Sequence, residues 1–288
     1  MGRRPRGGAG PKSGVFKVAG GEAELLRDAD RDGGWMLLIG GVPQSYVDLT
    51  DPTYLDFEYM RLMGDVVDLM AMEGQALDAV HIGGAACTLP RYLAATRPGS
   101  RQVVFEPDGP LVRLVRERLP VKNVPGLKIR VVDGRAGTAA LADDADDLLV
   151  VDAFAEASMP VELATREFTG DAARVLRPGG VLLMNVADGF RLAYARRVVA
   201  TVRSVFRHVL LLGEPGVLRG RRFGNLVVAA SQRPLPVDGL TRRAAGGAVR
   251  ARLMTGDDLA GFAAGARPIE DGEHVTAPVP PDQVFGRP

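Results

Sequence analysis

In 288 residues the chain has a single cysteine, Cys87. An intramolecular disulfide is therefore excluded, and a four-thiolate zinc site has no ligands. Its three histidines, His81, His208 and His274, are scattered along the sequence, so no metal site is expected. Neither sign of charge is in excess, with 36 Lys and Arg against 35 Asp and Glu. Nucleic acid or an anionic membrane thus lacks an electrostatic basis as principal partner, and a small substrate of mixed charge fits better. No apolar run reaches the roughly 18 to 20 residues that a membrane span needs. The start, Met1 to Lys12, is basic and rich in Gly and Pro with no apolar segment after it, which is the composition of a solvated tail. A cytoplasmic location is expected. No repeat of solenoid period is visible.

What is present is an alternation of two periodicities. Trp35 to Asp48 holds two short apolar runs around Gly40-Gly41-Val42-Pro43, the pattern of a β-hairpin. From Tyr54 to Met72, apolar side chains recur at helical spacing behind Asp51 and Pro52. Strand-like runs then follow at Leu77–Ile82, Gln102–Phe105, Leu127–Val132, Asp147–Val151 and Val181–Val186, separated by stretches of helical period. That order predicts parallel βαβ units with helices on both faces of one sheet. His208–Leu212 and Asn225–Ala230 supply a closing antiparallel pair, and Val198–Phe206 another helix. Beyond Ser231 the chain is rich in Pro, Gly and Ala and reads as peripheral. The resulting division is a basic disordered tail over 1–14, a hairpin and helix over 15–73, a nucleoside-binding sheet over 74–233 and a C-terminal extension over 234–288.

The chemistry-bearing residues fall at the ends of the predicted strands. His81-Ile82-Gly83-Gly84-Ala85-Ala86-Cys87 closes one strand and opens a helix, and small residues there let backbone approach a ligand. The string is not G-x-G-x-x-G, which weighs against a dinucleotide diphosphate and so against a Rossmann oxidoreductase. A little over twenty residues on, the next strand ends at Glu106. An acid at that position can accept hydrogen bonds from both ribose hydroxyls. Asp108, two residues later, is the better helix cap. The following strands end at Asp133-Gly134 and at Asp152. Open α/β sheets bind ligands at this edge, where Asp133 can accept from an adenine amino group and Asp152 can serve a cationic centre or an amine nucleophile. Cys87 reads as a small buried hydrophobe, and Arg219, Arg221 and Arg222 as a solvated basic loop.

Taken in order, these segments resemble the polyamine aminopropyltransferases, the spermidine synthase family. Gly40-Gly41-Val42-Pro43-Gln44 with Asp48 is similar to the family's D-G-x-x-Q segment, and Phe57-Glu58-Tyr59 to its E-F-x-Y-x-E-M helix. Gly83-Gly84, Glu106, Asp133-Gly134 and Asp152 stand where the family has G-G-G-D-G-G, V-E-I-D, D-G and D-S-S-D-P. The resemblance runs from about Trp35 to Ser231. It implies a methyltransferase-like Rossmann sheet of the S-adenosylmethionine-dependent type, doubly wound, with a small N-terminal β-hairpin element. Gln44, Gly83, Gly84, Glu106, Asp133 and Gly134 would line a pocket for decarboxylated S-adenosylmethionine, with Asp152 as general base, Tyr59 orienting the amine acceptor, and a homodimer as the assembly.

Three positions depart from the pattern. Ala86 replaces the Asp of the glycine loop, Ala155 replaces the second Asp of D-S-S-D-P with Glu156 beside it, and Arg61 replaces a helix Glu. A diamine buried without its carboxylate partners is costly, so altered or weak putrescine recognition is expected, with Glu156 as a substitute contact. Two other readings stay open at this point: a methyltransferase using intact S-adenosylmethionine, and a non-catalytic nucleoside sensor.

Overall fold

The structure is a computed structural model that describes residues 12–154, 158–247 and 250–281. Its first sheet is an antiparallel meander of β1 (Gly14–Val18), β2 (Gly21–Arg27), β3 (Gly34–Ile39) and β4 (Val42–Asp48). The hairpin expected from Trp35 is β3–β4, turned by Gly40 and Gly41 at φ of +57° and +77°. Both central residues lie in the left-handed region, as a hairpin matched to strand twist demands, and only glycine reaches it without strain. Two strands precede that hairpin, which the sequence reading did not anticipate. Their inward residues Phe16, Val18, Ala23 and Leu25 alternate with Lys17, Glu22 and Glu24, a short amphipathic pattern that charge obscures. Their turn is held from a distance, because Asp108 accepts from the amides of Ala19 and Gly20 at 2.8 and 3.2 Å.

After α1 (Glu58–Leu69) come β5 (Asp78–Ile82), α2 (Thr88–Thr96), β6 (Arg101–Phe105), α3 (Gly109–Arg118), β7 (Leu127–Arg130), α4 (Gly134–Ala139), β8 (Asp146–Val151), α5 (Arg166–Val175) and β9 (Leu176–Asp188). The remainder is α6 (Ala193–Arg203), β10 (His208–Gly213), α7 (Pro215–Leu218), β11 (Gly224–Ser231), α8 (Val237–Gly246), β12 (Arg252–Met254) and α9 (Gly256–Phe262). Helix α1 begins four residues later than its apolar spacing suggested, because Asp51 turns back to cap Thr53 instead of starting the helix.

The second sheet has the order β12-β10-β11-β9-β8-β5-β6-β7 among the described residues. Strands β5 to β9 are parallel, whereas β11 runs antiparallel to β9 and to β10. From β5 the chain winds outward to β6 and β7, then returns to β8 on the other side. Winding therefore reverses between β5 and β8, which opens a crevice at their carboxyl ends. Alternate residues of the central strands feed opposite faces: Val80, Ile82, Leu149 and Val151 pack toward α5 and α6, while Ala79, Leu148 and Val150 pack toward α1 and α2. Burial on both faces explains their near-continuous apolar sequence.

Residues beyond Ser231, expected at the periphery, complete this core. Leu240 and Ala244 of α8 close over α1, while Leu259, Phe262 and Ile269 are buried beside α6. Strand β12 extends the sheet along β10. Isolated apolar residues in a Pro- and Gly-rich segment carry little periodicity, so only their docking reveals the role.

At the opposite, amino-terminal edge Asp146 is half-buried beside Asp78, and burial first, then that neighbouring charge, pushes its carboxyl up to about 6. The folded-state value exceeds the unfolded 3.8, so this group favours folding below about pH 4 and loses that contribution as pH rises through 6. Asp146→Asn is expected to stabilise the fold by about 1–2 kcal/mol at pH 7.5, discounted for partial exposure, with no gain at pH 4. Urea denaturation at the two pH values checks this.

Candidate active site

Three backbone hydrogen bonds align the strand ends at the crevice. The Gly83 amide donates to the Phe105 carbonyl at 2.9 Å, that of Glu106 to Arg130 at 3.1 Å, and that of Asp152 to Ile82 at 2.9 Å. Gly83, Glu106 and Asp152 thus occupy neighbouring positions along one rim.

The loop after β5 needs its small residues. Gly83 has φ of +73°, and a Cβ there would lie 2.4 Å from the Asp152 carbonyl oxygen. Ala85 and Cys87 also hold positive φ, at 33° and 61°, a strain that side-chain-bearing residues keep only where the surroundings enforce it. Two loop amides are already engaged: that of Ala86 by Ser45 Oγ at 3.3 Å, and that of Cys87 by the Gly84 carbonyl, while those of Gly84 and Ala85 lie near the Glu106 carboxylate and lower its pKa. With two of the four amides from Gly84 to Cys87 spent inside the protein and the other two beside a carboxylate, the loop is poorly suited to a diphosphate. Burial raises the Glu106 carboxyl above the usual range, and the amides of Asp108, Gly84 and Ala85 oppose that rise.

The acids of the rim divide into two kinds. Asp108 caps α3 by accepting from the Leu111 amide at 2.9 Å, as its position suggested. Asp133 likewise caps α4, accepting from Ala136 at 2.9 Å, and is exposed. Its neighbour Gly134 lets α4 sit directly on β5, since a Cβ there would lie 2.1 Å from Ile82 Cγ2. Asp152 caps nothing among the described residues. It accepts from Asn185 Nδ2 at 2.8 Å and from the Tyr59 hydroxyl at 3.3 Å. Burial raises its carboxyl above the ordinary aspartate range, held back by those two donors. Tyr59 is buried in α1, and burial together with the adjacent carboxylate keeps its hydroxyl protonated, so it serves as a donor.

Asn185 escaped the sequence reading. It stands alone as a polar residue inside Val181–Ala187 of β9, 1% exposed, and that isolation was the available signal. Its Oδ1 finds no hydrogen-bond partner among the described residues, and an unpaired buried acceptor is costly unless something else meets it.

Other positions take quieter roles. Gln44 is the extra residue of a β-bulge, because Leu37 pairs with Ser45 and Leu38 with Pro43; bulges of this kind re-aim side chains beside functional sites. The strand carrying it rests on the loop end through Thr88 Oγ1, which donates to the Tyr46 carbonyl at 2.9 Å. Arg61 does not share the face of Tyr59. It lies two residues away, on the other face of α1, and donates to the Leu55 carbonyl at 2.6 Å and to that of Asp56 at 2.5 Å. Cys87 is buried, with its thiol pushed up to about 12 by desolvation. His81 is buried against Gln102 at 2.9 Å, and burial lowers its pKa to about 4. In the basic loop, Arg222 pairs with Glu214 at 2.6 Å and reaches Glu58 at 3.9 Å. Among the described residues no group of three or more His, Cys, Asp or Glu is placed to hold a metal, and no helix is long and apolar enough to cross a membrane. Ala155 and Glu156 lie outside the described residues.

A crystal structure of a probable spermidine synthase from Corynebacterium glutamicum superimposes with a TM-score of 0.86 at 33% identity, covering 93% of this chain and 100% of that one. The chain belongs to the spermidine synthase-like family. A polyamine aminopropyltransferase of Nitrosomonas europaea is 32% identical over 133 residues, which are 43% of this chain and 38% of that relative's length. The chain thus matches well under half of that curated relative. Spermidine synthase from Thermotoga maritima shares the fold at 15% identity and a TM-score of 0.59, and so does human methyltransferase-like protein 13, solved with SAH, at 17% and 0.51. A further spermidine synthase, solved with the transition state analogue AdoDATO, matches at 16% identity and 0.59. No family model matches the chain.

Proposed function

We propose that the protein transfers an aminopropyl group from decarboxylated S-adenosylmethionine to an amine acceptor. The observation that supports this best is Asp152, a partly buried carboxylate beside the glycine loop at the reversal of winding, held by Tyr59 and Asn185. In this reading Glu106 meets the ribose, and Asp133, exposed with one oxygen used in capping, offers the other to the adenine amino group. Gly83, Gly84 and Gly134 keep the floor of the site thin, and Gln44 reaches the site from β4.

The acceptor nitrogen attacks the carbon next to the sulfonium, the carbon–sulfur bond breaks, and its electron pair leaves on the sulfur of methylthioadenosine. The new ammonium loses its proton to Asp152, whose raised pKa suits it to that exchange. The unpartnered Oδ1 of Asn185 accepts an N–H of the incoming amine, which orients its lone pair. Recognition of the acceptor's far end differs from that of a putrescine enzyme, since Ala86 and Ala155 carry no charge for a second ammonium.

The test is to incubate the protein with decarboxylated S-adenosylmethionine and a panel of mono- and diamines and to measure methylthioadenosine. Release that depends on an amine is expected, with putrescine not the best acceptor. No release with any amine overturns the proposal.

A further inference from the structure

At the edge of the sheet opposite the candidate active site lies a cavity of about 540 Å³. It is an open concavity bordered by the end of α6, the start of β10, the connection from β11 to α8 and the start of α9. Strand β10 runs parallel to β9, both being antiparallel to β11, so its first residues lie at the amino-terminal edge.

The lining divides by chemistry. Phe206, Leu235 and Leu259 give it an apolar floor, while Arg203, Arg207 and His208 stand at the polar side with no Asp or Glu among the residues that line it. Several arginines of this chain meet carboxylates, as Arg101, Arg135, Arg174, Arg177, Arg197 and Arg243 do, and buried ones such as Arg91 and Arg97 meet backbone carbonyls. Arg203 and Arg207 meet none among the described residues. Of the acids next to the lining in sequence, Asp258 pairs with Arg252 at 3.5 Å, and Asp238 and Asp257 do not line the cavity. Cations left unpaired around an apolar concavity of ligand size are a receptor for an anion that carries an apolar body.

We propose that this cavity binds a phosphate monoester of an aromatic or aliphatic group. Two guanidinium groups match a dianion better than a singly charged carboxylate, with the His208 imidazole as a further hydrogen-bonding group, and the floor takes the ester group. The limited volume and the near-balance of charge over the whole chain disfavour a polyanion as occupant. The site is independent of the proposed transferase reaction.

The test is calorimetric titration of the full chain with phenyl phosphate, inorganic phosphate and phenol, repeated on the Arg203→Glu, Arg207→Glu double variant. Both arginines are exposed, so the fold should survive, and Arg207→Gln alone serves if the double variant does not fold. Phenyl phosphate is expected to saturate one site, to bind at least tenfold more tightly than inorganic phosphate or phenol, and to lose about tenfold or more in the double variant. With Arg207→Gln a smaller loss, still several-fold, is expected. Absence of saturable binding, equal affinity for inorganic phosphate, or unchanged affinity in the variants overturns the proposal.

Discussion

Replacing Asp152 by Asn is expected to lower amine-dependent methylthioadenosine release by about 10²- to 10⁴-fold, the range a positioned general base contributes. Asparagine keeps the size of the side chain and an oxygen to accept from Asn185 Nδ2, so the packing around Tyr59 survives. What disappears is the negative charge and the site that takes the proton. The same change acts on stability in the opposite direction. Burial holds the Asp152 carboxyl above its ordinary value, so its ionised form opposes folding, and that penalty grows as pH rises from the unfolded pKa through the folded one. A neutral asparagine removes it, and a melting temperature at pH 7.5 equal to or above that of the parent is expected alongside the loss of turnover. The parent's kcat/KM is expected to fall on the acid side with an apparent pKa above that of a free aspartate. Unchanged turnover in the variant, measured in an assay that works for the parent, removes Asp152 from the reaction.

Gly83→Ala is expected to cost about 2–4 kcal/mol of stability and to reduce turnover with it, by two separable routes. The first is conformational: φ of +73° lies in the left-handed region, where a Cβ is disfavoured by about 1–2 kcal/mol. The second is steric, because the new methyl would lie 2.4 Å from the Asp152 carbonyl oxygen and 2.7 Å from Ala153 Cα. These are backbone atoms of the neighbouring strand end, so relief requires that strand end to shift, and Asp152 shifts with it. Gly74→Ala separates the routes. Gly74 has φ of +70° with nothing within 4 Å of the added atom, so only the conformational term applies, about 1 kcal/mol with turnover unchanged. Denaturant melts of both variants, with turnover measured on the folded fraction, decide between them. Equal costs in the two variants mean that crowding at the rim plays no part.

The acids of this rim differ in how far local pattern accounts for them. Asp108 was legible as a cap because a helix start leaves amides that a short acid can reach locally. Asp133 obeys the same local rule: it caps α4 first, and a role toward a nucleoside must use its other oxygen. Asp152 follows an equally apolar run yet caps nothing among the described residues, and the packing of α1 and β9 around it, through Tyr59 and Asn185, sets it apart. Arg61 shows the converse. Counted along the helix it stood near Tyr59, but a two-residue step turns a side chain to the other face.

By itself the sequence determined the order of βαβ units, the hairpin at Gly40-Gly41, the small residues after β5 and the acids at strand ends. All of these follow from periodicity and from backbone preferences that act within a few residues. The tertiary structure decided which acid meets Tyr59 and Asn185, the latter from 33 residues away, that β1 and β2 extend the first sheet, and that the segment after Ser231 closes the core. Each of those depends on contacts between residues far apart in the chain, and local pattern carries no record of which distant surface a side chain will meet.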